Sequence, residues 1–472
     1  MPEFRQATLS NGLRIVAEID RRGYSAAVGY FVRAGSRDEV DVESGLSHFL
    51  EHMMFKGTSR RTAADVNREL DELGGQSNAY TTEEQTVYYA TVLPKFQDRI
   101  LDLLSDMLSP ALEEDEFQTE RQVILEEIAK YEDQPPFGAF ERAMELHFGP
   151  RGLGRRVLGT TQSIEAMSAA AMRDYFHRRY RPENIVLAAT GNVDFDGLVA
   201  TVEEKTSSWK SRPLSEIPVT DNLQTPPQGI TLDPALEVAD AHQAYLVRLA
   251  PGPSMSSDDR FAVRILASII GDEGGSRLFW ELIDTGRAEV ATVWPQEFSD
   301  QGGWFTYMIC APEDLAANQQ LIDEVLRQTR GRGIDPEELQ QAVNKATAGC
   351  IMQSERPSNR LFGLGSRWLT NREYFSTDDL LDRFRKLDID TINRAAQQYL
   401  GTPSTDVHAA PNPQPTAGSN RGPDSLRKTI ETTCPPSFQK SLTGKFQRTL
   451  STKTIFAWHF VTLPPKRPPI SW

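Results

Sequence analysis

Cysteine is scarce in this chain of 472 residues. The three cysteines, Cys310, Cys350 and Cys434, show no metal-binding spacing, and any disulfide scheme leaves one of them unpaired. Such usage is typical of a reducing compartment. No apolar run approaches the roughly 20 residues that cross a bilayer, so no membrane span is predicted. The start of the chain also lacks the basic and then apolar pattern of a secretory signal, and we therefore expect a cytoplasmic protein.

Positive charge is also in deficit, with 51 Lys and Arg against 66 Asp and Glu and a formal net charge of −15. This balance argues against nucleic acid as a partner and suits a protein that attracts basic peptides. The deficit is uneven, because residues 413–472 hold nine basic and two acidic residues, or +7, which leaves −22 for residues 1–412. Those last residues are rich in Pro, Ser, Thr and Gly without lasting periodicity, so we predict a disordered or atypical tail.

Histidine is rare too, yet two of the seven lie four residues apart in His48-Phe49-Leu50-Glu51-His52. On an α-helix, residues i and i+4 share a face, so both imidazoles can bind one tetrahedral ion while Glu51 reaches the water bound to it. A hydrogen-bonded pair without metal is the alternative, but chance yields this pattern in only about one chain of this size in a hundred. The order inverts the H-E-x-x-H of zinc hydrolases and predicts one Zn²⁺ per chain.

Two histidines leave the ion one ligand short, because catalytic zinc usually has three protein ligands. The helix predicted after Pro110 offers candidates. Glu120 and Glu127 are seven residues apart, almost two helical turns, and therefore share a face. Glu126 would point about 100° away from Glu127. Any one of these glutamates taken alone is more simply a solvated surface residue.

The stretch H-F-L-E-H-M-M-F-K-G-T, followed farther along by E-R-Q-V-I-L-E-E-I, resembles the pitrilysin/insulinase family of inverzincin metallopeptidases, including its bacterial and mitochondrial-processing members. The resemblance implies zinc ligands at His48, His52 and Glu127, a general base at Glu51, and a supporting second carboxylate at Glu120. Glu126 is the main alternative to Glu127. The family's two carboxylates stand seven residues apart, which favours Glu127.

A glycine turn between these helices leads into two segments rich in Thr, Tyr and Val, which predicts a pair of strands. The segment G-G-Q-S-N-A-Y-T resembles the family signature G-G-x-x-N-A-x-T. The resemblance implies an edge strand near the metal, to which a peptide substrate adds as a further strand through Asn78, Ala79 and Tyr80. An edge strand offers unpaired backbone groups, so it binds peptide backbone with little regard to side chains. Asn78 taken alone would be read as a turn residue.

The length and the alternation of strands and helices predict more than one domain. We expect an α+β fold of two homologous domains, each with α/β layers, and the resemblance implies that they enclose a peptide chamber. The predicted boundaries are a zinc-binding peptidase domain (1–206), a Pro-rich linker (207–229), a degenerate peptidase-like domain (230–412) and the tail (413–472).

The second half lacks H-x-x-E-H, in line with the family's plan of one active and one degenerate domain. Many members place an Arg and, seven residues later, a Tyr near the substrate, but this chain has Ile283 and Val290 there. Arg287 is an alternative source of the arginine. The loss would suit a homodimer or a heterodimer in which a second peptidase-like subunit supplies the missing groups.

Two functions follow from these observations. The first is a zinc-dependent endopeptidase that hydrolyses unfolded peptides or presequence-like segments bound as a β-strand. The second is a noncatalytic scaffold or peptide-binding subunit of a peptidase-like heterodimer. The intact set of His48, Glu51, His52 and Glu127 favours the enzyme, because degenerate members have usually lost one of these residues.

Overall fold

The structure, a computed structural model, describes residues 2–132, 134–210, 236–238 and 243–411. Most of the predicted linker and all of the predicted tail lie outside this part of the chain. Within it, none of the helices combines the length and the apolar character that a membrane crossing requires.

The first sheet has six strands. They are β1 (Glu3–Thr8), β2 (Arg14–Ile19), β3 (Ala26–Val32), β4 (Gln76–Thr81), β5 (Thr86–Val92) and β6 (Ile185–Gly191). Their spatial order is β1-β2-β6-β3-β5-β4, with β2 and β6 parallel and all other neighbours antiparallel. β4 is therefore an edge strand of this sheet, as the sequence resemblance implied.

The second sheet has five strands among the described residues. They are β7 (Leu236–Val238), β8 (Ala244–Pro251), β9 (Val290–Glu297), β10 (Gly302–Cys310) and β11 (Thr405–Pro411). Their order is β7-β11-β8-β10-β9, with only β7 and β11 parallel. β8 lies at the centre of this order and pairs antiparallel with both β11 and β10.

Helices alternate with groups of strands along both halves of the chain. In the first half they are α1 (Leu46–Met53), α2 (Ala63–Glu72), α3 (Gln97–Met107), α4 (Glu114–Glu132), α5 (Pro135–Phe148), α6 (Thr161–Ala166), α7 (Ala169–Arg179) and α8 (Phe195–Thr206). In the second half they are α9 (Asp259–Gly271), α10 (Leu315–Arg332), α11 (Pro336–Ser354), α12 (Pro357–Asn371), α13 (Thr377–Arg385) and α14 (Ile389–Tyr399). A π-helical turn covers Phe279–Ile283.

Both faces of the first sheet are buried, and the side-chain alternation of β3 shows how. Val28, Tyr30 and Val32 point into the main core of the first half, where they join residues of α1, α3 and α4. Ala27 and Phe31 point to the opposite face. A strand buried on both faces must be apolar throughout, and every residue of β3 is buried.

The two halves exchange one helix each to cover these outer faces. Helix α12, from the second half, packs Leu361 and Leu364 against the outer face of the first sheet. Helix α5, from the first half, packs Phe140 against Phe305 and Tyr307 of the second sheet. Each sheet is therefore enclosed between helices of its own half and one helix of the other.

Ion pairs reinforce this exchange. Arg37, in the first half, binds both carboxylate oxygens of Asp300, in the second, at 2.8 and 2.7 Å. Arg360, on α12, binds both carboxylate oxygens of Glu18 on β2. Both pairs are bidentate, and the Arg360 pair is largely buried on both sides, so they fix geometry better than single-contact surface pairs do. The halves are thus joined by packing and by charge.

Candidate metal site and substrate cleft

Helix α1 carries the two histidines and begins at a left-handed glycine. Gly45 has a φ of +90°, and a Cβ there would lie 2.5 Å from the carbonyl oxygen of Leu158. Only glycine fits such a position. The carboxylate of Glu39 accepts hydrogen bonds from the backbone N–H groups of Gly45 and Ser47 at 2.8 and 2.7 Å. Because this buried carboxylate binds the first N–H groups of the helix, it fixes where α1 starts.

The structure brings His48, His52 and Glu127 together. One ligand atom from each lies within 4.8 Å of the other two. Glu127 Oε2 is 3.9 Å from His48 Nε2 and 3.5 Å from His52 Nε2. Tetrahedral zinc with bonds of about 2.0–2.1 Å separates its ligand atoms by about 3.3 Å, so small side-chain movements suffice to bind one ion.

The structure also distinguishes the three candidate glutamates of α4. Glu127 faces the histidines, whereas Glu126 is exposed and lies outside the group. Glu120 lies seven residues before Glu127 on the same face of α4. It accepts a hydrogen bond from His52 Nδ1 at 2.8 Å and pairs with Lys56. This bond leaves His52 Nε2 directed toward Glu127, the arrangement by which a carboxylate orients a metal-binding imidazole.

Glu51 is buried beside the group and is not one of its three members. Thr81, at the end of β4, donates its hydroxyl hydrogen to Glu51 Oε2 at 2.6 Å. Burial raises the pKa of Glu51 to about 7, and the charge of Glu127 adds to this, while His52 and the Thr81 hydrogen bond oppose it. A carboxyl group with such a pKa can exchange a proton near neutral pH.

The remaining ionisable groups respond to burial and to one another. Burial lowers the pKa of His48 well below its ordinary value, so its ring is neutral and can offer a lone pair. Burial also lowers the pKa of His52, but the Glu120 hydrogen bond and the nearby carboxylates outweigh it and leave the pKa raised. The pKa of Glu120 is lowered, because His52 and Lys56 overcome the cost of burial.

Edge strand β4 forms one wall of a cleft beside this group. Asn78, Ala79 and Tyr80 pair with β5, and no strand of the described residues pairs with the other side of β4. The cleft is a cavity of 110 Å³ lined by His48, Glu127 and mostly apolar side chains such as Tyr131, Phe137, Phe140 and Met144. The lining residues that the structure describes all belong to the first half.

Ile283 and Val290, where the second half departs from the family pattern, both pack against apolar clusters. Ile283 packs against the core formed by α9 and its neighbours. Val290 starts β9 and packs with the cluster around α5. Arg287 is exposed. No polar side chain at these three positions reaches the metal group within the described part of the chain.

Three residues of this site were missed by sequence reasoning. Thr81 holds Glu51, Lys56 pairs with Glu120, and Glu39 holds the start of α1. Thr81 was present in the signature G-G-x-x-N-A-x-T, but a hydroxyl in a strand gives no sign of its partner. Glu39 precedes α1 by several residues and gives no periodic signal at all.

Comparison with known proteins places this geometry in a class of peptidases. The sequence model named Insulinase (Peptidase family M16) matches residues 14–161, and the one named Peptidase M16 inactive domain matches residues 166–346. The chain belongs to peptidase family M16. The predicted relationship to the pitrilysin/insulinase family is thereby confirmed, as is the mixed α/β fold with two domains of the family type.

The chain resembles several proteins over most of its length. An uncharacterized zinc protease from Mycobacterium leprae is 35% identical over 84% of this chain and 89% of that protein. A probable mitochondrial-processing peptidase subunit beta from Arabidopsis thaliana is 29% identical over 84% of this chain and 76% of its own length. A protease from Helicobacter pylori of known structure has a TM-score of 0.82, with 24% identity, over 87% of this chain and 100% of that one. This last likeness concerns the fold alone.

Proposed function

We propose that this chain is a zinc-dependent endopeptidase that hydrolyses unfolded peptides bound as a β-strand along β4. The observation that carries the proposal is the convergence of His48, His52 and Glu127 beside a buried Glu51 that is not part of their group. Relatives named zinc proteases support the peptidase assignment.

The donor set suits zinc in three respects. It consists of two imidazole nitrogens and one carboxylate oxygen, which is a common set in catalytic zinc sites. The ring of His52 is oriented by Glu120 at 2.8 Å, as ligating histidines usually are. The ring of His48 is neutral and buried. When bound, zinc would supply Lewis acidity that activates water and polarises the scissile carbonyl.

The chain's own residues account for the proton transfers. Glu51 would accept a proton from the attacking water and deliver it to the leaving amine, which is general acid–base catalysis by one carboxyl group. Its partner Thr81 would hold the carboxylate in place by the 2.6 Å hydrogen bond to Oε2. Glu127 and the two histidines would hold the ion, and Glu120 would maintain the tautomer of His52.

The edge strand supports the substrate part of the proposal. A peptide added to β4 would gain backbone hydrogen bonds independent of sequence. Side chains near the metal would enter the cleft lined by Tyr131, Phe137 and Phe140. Among the described residues only the first half lines this cleft, and a second subunit would close it into a peptide chamber. The resemblance to a mitochondrial-processing peptidase subunit beta supports a homodimer or heterodimer and presequence-like substrates.

Zinc content and peptide cleavage test this proposal together. The native chain should bind about one zinc and cleave a quenched fluorescent peptide library. Glu51→Gln should keep the zinc and lose cleavage, and Glu127→Gln should lose both. Glu126→Gln is the matched control on the exposed face of the same helix and should behave as the native chain. Equal zinc loss in the Glu126 and Glu127 variants would refute the ligand assignment.

A noncatalytic role is the alternative, and one observation favours it. Ile283 and Val290 occupy positions where many family members have Arg and Tyr, and both pack into apolar clusters. If the native chain binds zinc but shows no turnover, alone or with any co-purifying partner, the noncatalytic subunit is the better assignment.

A further inference from the structure

A second cavity lies between α9, α12 and the end of β9, apart from the metal site. Its volume is 170 Å³, whereas a single water needs only about 10–15 Å³. Three arginines and one glutamate supply the charged groups of its wall, together with Met255, Phe261, Gly363 and Ser366. The wall is therefore unusually basic for a protein with a net charge of −15.

Carboxylates already neutralise most of the guanidinium groups in this region. Four arginines have a partner each: Arg260 with Glu373, Arg264 with Glu297, Arg360 with Glu18, and Arg383 with Asp258. The Arg264 pair is bidentate, with both bonds at 2.7 Å, so Glu297 is committed to it. Arg367 has no carboxylate partner and no hydrogen bond among the described residues. One positive charge is thus left over.

Three guanidinium groups converge at this point. The central carbons of Arg367, Arg260 and Arg383 lie 5.6, 5.8 and 4.5 Å from the ring centroid of Phe375. The aromatic ring offsets part of their charge. Burial lowers the pKa of Arg367 to about 10, its neighbouring arginines lower it further, and the charge of Glu297 opposes them only in part. An uncompensated cation in a partly buried position is unfavourable unless an anion joins it.

We propose that this cavity binds a small tetrahedral oxyanion of the phosphate class, with Arg367 as its principal ligand. Guanidinium groups present planar forks of N–H donors that match phosphate oxygens. Arg260 and Arg264 reach the cavity from α9, and Arg367 reaches it from α12. An anion held between them would tie the second half to the helix that covers the first sheet. It would neutralise the charge that no carboxylate of the described residues meets.

The cavity also adjoins the region of the metal cleft. It shares Met255, Glu297 and Ser366 with a neighbouring cavity at the β4–β5 turn, and that cavity shares Thr82 and Glu83 with the metal cleft. A bound anion would therefore join α9 to α12 close to the turn that follows the edge strand. The inference concerns this cavity and does not depend on peptidase activity.

Inorganic phosphate is the probe, measured on the full chain at constant ionic strength. We expect a saturable rise in Tm of at least about 2 °C, and saturable broadening of the phosphate signal in phosphorus NMR. Arg367→Gln should lose both effects, yet without phosphate it should melt at or above the native Tm, because it removes an uncompensated charge. A merely structural arginine would instead lower that Tm.

Two further variants complete the test. Arg394→Gln removes the same charge from an exposed site on α14 and should keep both phosphate effects. Gly363→Asp places a carboxylate one helical turn before Arg367, whose Nη1 lies 3.8 Å from the position of the added Cβ, and should abolish phosphate binding without removing the arginine. The proposal is overturned if the native chain shows no saturable phosphate effect, or if Arg367→Gln and Gly363→Asp respond to phosphate as the native chain does. A phosphomonoester tested beside inorganic phosphate shows whether the site accepts a phosphate group on a larger molecule.

Discussion

Replacing Thr81 with valine should shift the pH dependence of catalysis. The substitution keeps the size and branching of the side chain but removes the hydroxyl that donates to Glu51 at 2.6 Å. A hydrogen bond to a charged group contributes about 1.5–3 kcal/mol, and one pKa unit corresponds to about 1.4 kcal/mol. The loss should therefore raise the pKa of Glu51 by about 1–2 units.

The direction of the Glu51 pKa shift follows from the protonation state that the Thr81 hydroxyl favours. Thr81 stabilises the ionised carboxylate, so its removal favours the protonated form and raises the pKa from the value of about 7. The base must be ionised to accept a proton, so the acid limb of the kcat/KM profile should move to higher pH by the same amount. A bound cation lowers the pKa in both proteins, and the difference between them is what the assay measures.

The assay is the kcat/KM profile for a quenched fluorescent peptide between about pH 5 and pH 10. Thr81→Val should be slower than the native chain at low pH and approach it above the shifted pKa. Thr81→Ser keeps the hydroxyl and should restore the native profile. A uniform loss of activity at every pH, with the acid limb unmoved, would show that Thr81 does not act through Glu51.

Two other substitutions test how Glu120 orients His52 and how helix α12 packs on the first sheet. Glu120→Gln removes the carboxylate that orients His52, and zinc affinity, measured by competition with a chelator, should fall about 10–100-fold; unchanged affinity would contradict this role. Gly365→Ala places a Cβ 2.3 Å from the ring of Phe31, and unfolding should become easier by about 1–3 kcal/mol in a denaturant titration. Gly349→Ala, with no atom within 4 Å, is the control, and an equal loss there would argue against a packing cause.

Local helical geometry explains why so much of the site was predictable. The spacing of His48 and His52, and that of Glu120 and Glu127, places each pair on one helix face wherever the helix lies. The exposed position of Glu126 follows from the same rule. The departures at Ile283 and Val290 were also visible in the sequence, but their packing into apolar clusters was not.

The rest of the fold and the site could not be predicted, because it depends on contacts between residues that are far apart in the sequence. The sequence Ala26–Val32 is apolar throughout, which indicates a strand covered on both faces, but nothing local tells which helix covers each face. Helix α12 lies in the chain between strands β10 and β11 of the second sheet, yet it packs on the first sheet. The link between Thr81 and Glu51 spans 30 residues and depends on the same long-range folding.

The helix exchange gives the second half a part in the site, although none of its described residues lines the metal cleft. Helix α5 follows directly after the ligand helix α4 and is anchored on the second sheet through Phe140. The turn that follows Thr81 is held from the other side, because Glu84 accepts a hydrogen bond from the backbone N–H of Ser299 at 2.8 Å and pairs with Arg37, which also binds Asp300. The elements that adjoin Glu127, the proposed zinc ligand, and Glu51, the proposed base, thus depend on contacts across the two halves. A degenerate domain can be retained for this mechanical reason, independently of any contact with substrate.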